Sequence, residues 1–327
     1  MIHKENSQPI NSLIINKENT LSAVSSNPLP MLVEGHQNDQ DSEYDDPNVS
    51  LLSESTEEDD AKPRELDHSY LEKKIHSQLL LEEKNLNVSL EKILSIQKEV
   101  TLDDREQTIM WIFKLNTELM YPSDIPYTTV TYFNIILSTI PLTRNELKLV
   151  AITCFRIAAK VELIKYPILE QINELSGEQF SAEAVRDTEV KVIAALSYKL
   201  SYPTVKTFLR RSTYEVELSS QVYYIANIII EKATIKSEFL AYYPSIIAAA
   251  VVSTVLASIG DFDGAKRIIL DSQCTDPNAM LECIDKMILI GRKLLEALSQ
   301  FNKSAPIIQM FENTNFDFDA TTVFVTK

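Results

Sequence analysis

Histidine is nearly missing from this 327-residue chain, and the four present, His3, His36, His68 and His76, all fall in the first quarter. The other three quarters hold no imidazole for acid–base catalysis, metal ligation or a Ser-His or Cys-His nucleophile. Glycine is equally scarce: Gly35, Gly177, Gly260, Gly264 and Gly291 build no phosphate-cradling loop of Walker or Rossmann type. The three cysteines, Cys154, Cys274 and Cys283, form no CxxC pair. This argues against a disulfide framework or a thiolate zinc site and fits a reducing intracellular compartment. The longest apolar stretch, Ile246 to Ile259, is interrupted by Ser253, Thr254 and Ser258, and falls short of the roughly 20 residues of a membrane span. No apolar run follows Met1 to Asn6, so no secretory signal is expected. Basic blocks are missing from a chain of net charge -16, with Lys73-Lys74 and Arg210-Arg211 too short to count. Nucleic acid and anionic membrane are therefore excluded as expected partners. Carboxylates and lysines are plentiful, but none forms a pairing that favours catalysis over a solvated surface. No catalytic residue, cofactor or metal is expected.

What the chain does have is unevenly placed. Residues 1 to 65 carry fourteen acidic against four basic side chains and one aromatic, Tyr44. Such a segment buries too little apolar surface to offset its ordering entropy, so residues 1–66 read as a disordered acidic tail. Within it, Ser53 to Asp60 sets hydroxyls ahead of acids, which could suit an acid-directed kinase but more simply reads as an acidic spacer.

From Tyr70 the apolar spacing becomes helical, with Leu71, Ile75, Gln78, Leu79 and Glu82 at one-turn intervals predicting a short amphipathic helix. Thr101 to Asp104 has capping-box form and opens a run to Tyr121 that Pro122 and Pro126 should end. Val130 to Ile140 is a second run. A second capping box, Thr143 to Glu146, opens a helix to Lys160. From Leu149 to Ala159 only Thr153 and Arg156 are polar, the pattern of a helix buried nearly all round. Leu163 to Leu175 and Ala182 to Leu196 complete five helices between residues 102 and 200. The scheme then repeats: Ile246 to Ala257, opened by Tyr243-Pro244-Ser245, is another uniformly apolar, alanine-rich helix about 100 residues downstream. That distance suits two consecutive helical domains, 67–200 and 201–300, around two hub helices. The class is all-α. Residues 301–327 read as a loose tail, with Thr321 to Val325 able to lie against a domain as an extended segment.

These segments resemble a known family. Leu147 to Glu162, LKLVAITCFRIAAKVE, closely resembles the third helix of the first cyclin box. Arg105 and Trp111, six apart, resemble the Arg and Trp of that box's first helix, and Thr188-Glu189 through Leu196 resembles its fifth. Pro203-Thr204 with Phe208-Leu209-Arg210-Arg211 resembles the start of the second box in mitotic, B-like cyclins, and Tyr243 to Ala250 its central helix. The likeness spans about Tyr70 to Leu298. It implies two consecutive five-helix cyclin boxes after a short helix. It also implies a non-enzymatic partner of a cyclin-dependent kinase catalytic subunit, holding the kinase's regulatory helix so that its Lys-Glu pair to ATP forms. In the family, the Lys ending the third helix and a Glu of the fifth pair with each other and bind backbone groups of the kinase; the resemblance carries these roles to Lys160 and Glu189, and Glu162 matches the family's first Glu after the Lys. Leu163 replaces a second Glu. The Arg of the first helix, here Arg105, normally pairs with an Asp, where this chain has Asn134. In the Arg-x-Leu substrate-docking patch, Asp104, Gln107 and Thr108 stand where Met, Ile and Leu are usual, while Trp111 and Leu147, next to Lys148, remain.

The tail adds a second signal. Lys4-Glu5-Asn6, followed by Pro9, and Lys17-Glu18-Asn19 both spell the KEN degron, which resembles signals read by coactivators of the anaphase-promoting ubiquitin ligase. No Arg-x-x-Leu destruction box is present in the tail, whose only arginine is Arg64. A transcription factor of the general B class shares the two-box design, but such factors usually carry a zinc ribbon and a basic surface, which this sequence lacks. A cyclin-like adaptor without kinase binding is the other alternative, favoured by Leu163 and Asn134. Nuclear or nucleocytoplasmic residence is implied by the family alone.

Overall fold

The computed structural model describes residues 68–163, 166–177, 180–300, 306–311 and 313–324. The acidic tail and both KEN tripeptides lie outside the described residues. The helices are α1 (His68–Lys84), α2 (Leu90–Ile96), α3 (Leu102–Glu118), α4 (Ile125–Leu137), α5 (Arg144–Glu162), α6 (Leu169–Ser176) and α7 (Ala182–Ala195). The second half continues with α8 (Val205–Glu215), α9 (Ser220–Ile235), α10 (Pro244–Ser258), α11 (Phe262–Asp271), α12 (Pro277–Leu298) and the short α13 (Pro306–Phe311). No strand occurs among the described residues. Helices α3 to α7 make one five-helix repeat and α8 to α12 a second.

Each repeat is organised around one helix that packs against several others. In α5, Ala151, Ile152, Cys154, Phe155, Ala158 and Ala159 are fully buried, and α3, α4 and α7 pack around it. In α10 every residue from Ser245 to Ser258 is buried, among α8, α9, α11 and α12. The small side chains of Ala248, Ala249 and Ala250 allow close helix approach, and Ser253 Oγ donates to the Ala265 carbonyl at 3.0 Å. Both capping boxes form. Thr101 N–H donates to Asp104 at 2.8 Å and Thr143 N–H to Glu146 at 3.0 Å, closing the orphan donors that open α3 and α5. These hydrogen bonds hold both carboxyls below the usual carboxylate range.

Helix boundaries depart from the sequence reading in several places, among them the first run, read to Tyr121 and ending at Glu118, and the second, read as Val130 to Ile140 and found as Ile125–Leu137. Pro126 does not end α3 but stands in the first turn of α4, where a missing N–H and a fixed φ suit helix entry. Leu163 is the C-cap of α5, and the next helix begins only at Leu169. It closes on Gly177, whose φ of 68° favours a residue without Cβ. The short α2, capped by Ser89, was not expected.

Helix α1 buries a different face from the one its apolar spacing indicates. Tyr70 and Ile75 are exposed, whereas His76, Leu80 and Glu83 are buried. The anchors are polar. Glu83 accepts from Ser245 N–H at 2.9 Å and from its hydroxyl at 2.5 Å, so it caps the N-terminus of α10 from another helix. His76 Nε2 donates to the Asp271 carbonyl at 2.9 Å. Burial lifts the Glu83 carboxyl above its ordinary range, and the Ser245 hydrogen bonds offset this only in part. A carboxyl raised in the fold contributes stability while protonated, and loses it as pH rises through the raised value. Glu83→Gln should therefore flatten the fall in stability in the window opening just above the ordinary glutamate value of about 4.3. Urea unfolding across that window checks it, and an unchanged slope would refute the assignment.

The C-terminal segment is not loose where it is described. Phe311, Phe316, Ala320 and Val323 are buried, the last two in a 3-10 turn (Ala320–Val323) rather than an extended strand. Arg292 Nε donates to the Phe316 carbonyl at 2.9 Å. A Cβ on Gly291 would stand 2.4 Å from the Phe316 ring, so this glycine is the seat for that ring.

Candidate functional site

Lys160 occupies the last turn of α5, where a cation complements the helix dipole. Glu189 lies on α7, whose Val185, Thr188 and Val192 are buried against the repeat. With α5 and α7 packed together, Lys160 Nζ donates to Glu189 Oε1, residues that are 29 apart in sequence. The pair sits at the surface, with side chains 33% and 18% exposed. The Tyr166 ring centroid lies 5.6 Å from the Lys160 ammonium, and Val161, next to Lys160, and Val190, next to Glu189, are exposed, as are Tyr166 and Ile168. Glu162 is exposed at the end of α5.

Arg105, on α3, is buried, and its Nε donates to Asn134 Oδ1 on α4 at 2.9 Å. Its Nη1 crosses to the other repeat, donating to the Ile235 carbonyl at 2.9 Å and to Ser237 Oγ at 3.2 Å. The neighbouring Glu106 accepts from Lys236 Nζ and from Ser237 N–H, both at 2.8 Å. These contacts clamp α3 to the C-terminal end of α9 and the residues after it. Sequence reasoning missed them, since partners 130 positions away leave no local signal. The Arg210–Asp124 ion pair at 2.6 Å, also between repeats, was missed for the same reason.

The remaining sequence-selected residues divide. Leu147 is buried and Trp111 half-buried against the core, with the exposed Lys148 ammonium 5.8 Å from its ring centroid. Gln107 is exposed, but Thr108 is buried with its hydroxyl on the Asp104 carbonyl at 2.7 Å. Thr108 therefore forms no wall of an open groove. Among the described residues no group of His, Cys, Asp or Glu is placed to hold a metal ion, and no helix is long and apolar enough to cross a membrane.

Two successive five-helix repeats around buried hubs, with the Lys160–Glu189 pair at one end of the first hub, define an all-α tandem-repeat protein. Residues 74–201 match the family description "Cyclin, N-terminal domain" and residues 203–297 "Cyclin, C-terminal domain". The chain belongs to the cyclin family. It is 32% identical to Cyclin-A2-1 of Arabidopsis thaliana over 165 residues, covering 49% of this chain and 37% of that protein. It is 23% identical to Cyclin-B2-2 of the same plant over 226 residues, 68% of this chain and 52% of that one. The chain thus spans about half or less of the length of these relatives. Its fold is that of the viral cyclin from herpesvirus saimiri, with a TM-score of 0.57 at 19% identity over 65% of this chain and 94% of the viral one.

Proposed function

We propose that this chain is the regulatory subunit of a cyclin-dependent protein kinase in mitotic or meiotic control, with Lys160, Glu162 and Glu189 as its kinase-binding residues. The observation that carries this is the partly exposed Lys160–Glu189 pair with the Tyr166 ring beside it. The ammonium keeps donors for a kinase backbone carbonyl and the carboxylate keeps acceptors for a kinase N–H, while Val161, Tyr166 and Val190 supply burial. The chemistry belongs to the partner. Mixing the purified chain with an isolated cyclin-dependent kinase catalytic subunit is expected to give a one-to-one complex by light scattering. Two separate peaks at micromolar concentration would contradict it.

The same reading assigns turnover to Lys4-Glu5-Asn6 and Lys17-Glu18-Asn19, recognised by a coactivator of the anaphase-promoting ligase in nucleus or cytoplasm. Two copies raise effective concentration at the receptor. Alanines in one tripeptide should slow turnover in part, and alanines in both should slow it by more than the sum. Half-life in cells leaving division is the readout. A double variant that disappears as fast as wild type removes the degron assignment and leaves the kinase-binding one intact.

A further inference from the structure

A cavity of about 400 Å³ lies between the two repeats and the α1–α2 connection, and both Arg105 and Asn134 line it. Arg105 is 2% exposed, yet no carboxylate among the described residues is within ion-pair distance of it. Its three hydrogen-bond acceptors, Asn134 Oδ1, the Ile235 carbonyl and Ser237 Oγ, are all neutral. Its Nη2 has no hydrogen-bond partner among the described residues. The nearest acid, Glu106, is already engaged by Lys236 and the Ser237 N–H.

A guanidinium stays ionised even in the interior, and an uncompensated buried charge costs several kcal/mol. Burial pushes the Arg105 pKa down to about 10, so the side chain remains a cation at neutral pH. Among the described residues no anion compensates this charge. We infer that this inter-repeat cavity binds a carboxylate carried on an apolar body, anchored by the Arg105 guanidinium.

The rest of the lining sets the ligand class. Val130, Phe239, Tyr242 and Ile247 give apolar and aromatic walls, and the volume is that of a small-molecule pocket. Lys236 at the lining is already matched by Glu106, and Glu91, also at the lining, is acidic and exposed. One uncompensated positive charge suits a singly charged carboxylate better than a doubly charged phosphate. The carboxylate has two possible sources, a free organic acid or an acidic side chain of this chain's own Leu51-Leu52-Ser53-Glu54 run. The second is within reach. Glu54 precedes His68 by fourteen residues, about 46 Å of extended chain. Helix α1, leading to Leu86 and Val88 at the cavity, is only about 25 Å long.

The test is calorimetric titration of the full chain with 3-phenylpropionate and its neutral amide, 3-phenylpropionamide. The acid is expected to bind at least tenfold more tightly than the amide. Asn134→Asp places a carboxylate on Arg105 from within the fold. It should abolish acid binding while the thermal midpoint holds or rises. A third chain, with Glu54, Glu57, Glu58, Asp59 and Asp60 changed to their amides, separates the sources. Tighter acid binding there assigns the natural occupant to the chain's own tail, and equal binding assigns it to a free acid. Equal affinity for acid and amide, unchanged binding by Asn134→Asp, or no acid binding by either wild type or the neutralised-tail chain would overturn the inference.

Discussion

Alanine at Lys160 or at Glu189 is expected to weaken kinase binding by about 30-fold to several thousand-fold, with helix content unchanged. The pair is partly exposed in the free chain, so its loss costs the isolated fold little, as is usual for surface ion pairs. A docked kinase would exclude water from it, and truncating one member of a desolvated, hydrogen-bonded charge pair costs about 2 to 5 kcal/mol. The surviving partner is left buried and unmatched, so the double alanine variant should lose less than the two single losses added together. Affinities of the four chains for one kinase, with far-ultraviolet circular dichroism on each, give the cycle. Additive losses would show that the two residues act separately.

The second large effect is on folding. Ala250 is fully buried in the middle of α10, a helix with no exposed face. Glutamate there would place a charge without partner among α8, α9, α11 and α12, at a cost of several kcal/mol against a usual total stability of about 5 to 15. Ala250→Glu is expected to lose its cooperative thermal transition. Leu289→Glu, at a half-exposed position of α12, should stay within about 0.5 kcal/mol of wild type. A cooperative transition in Ala250→Glu near the wild-type midpoint would show that α10 is not the hub.

What could be read in advance follows the kind of force involved. The two hubs were legible because a helix buried nearly all round needs a long run of mostly apolar and small residues, and Leu149–Ala159, interrupted only by Thr153 and Arg156, and Ile246–Ala257 are such runs. The openings of α3 and α5 were legible because a capping box is local chemistry, complete within four residues. The face of α1 was not, because Glu83 and His76 anchor it through hydrogen bonds to Ser245 and Asp271, and apolar spacing does not register buried polar groups. The packing of Phe311, Phe316 and Val323 escaped because their spacing follows neither the helical nor the strand period. At the candidate site, Lys160 and Glu189 are each ordinary surface charges by type. The resemblance singled them out and implied their pairing, and the fold puts one on the other.

The most direct measurement is protein-kinase activity toward histone that co-purifies with the tagged full chain from dividing cells, wild type beside Lys160→Ala and Glu189→Ala. Wild type should carry an active cyclin-dependent kinase and both variants should carry almost none, at equal chain recovery. Wild-type levels of kinase activity with either variant would contradict the Lys160–Glu189 interface, and no kinase with wild type would contradict the regulatory role itself.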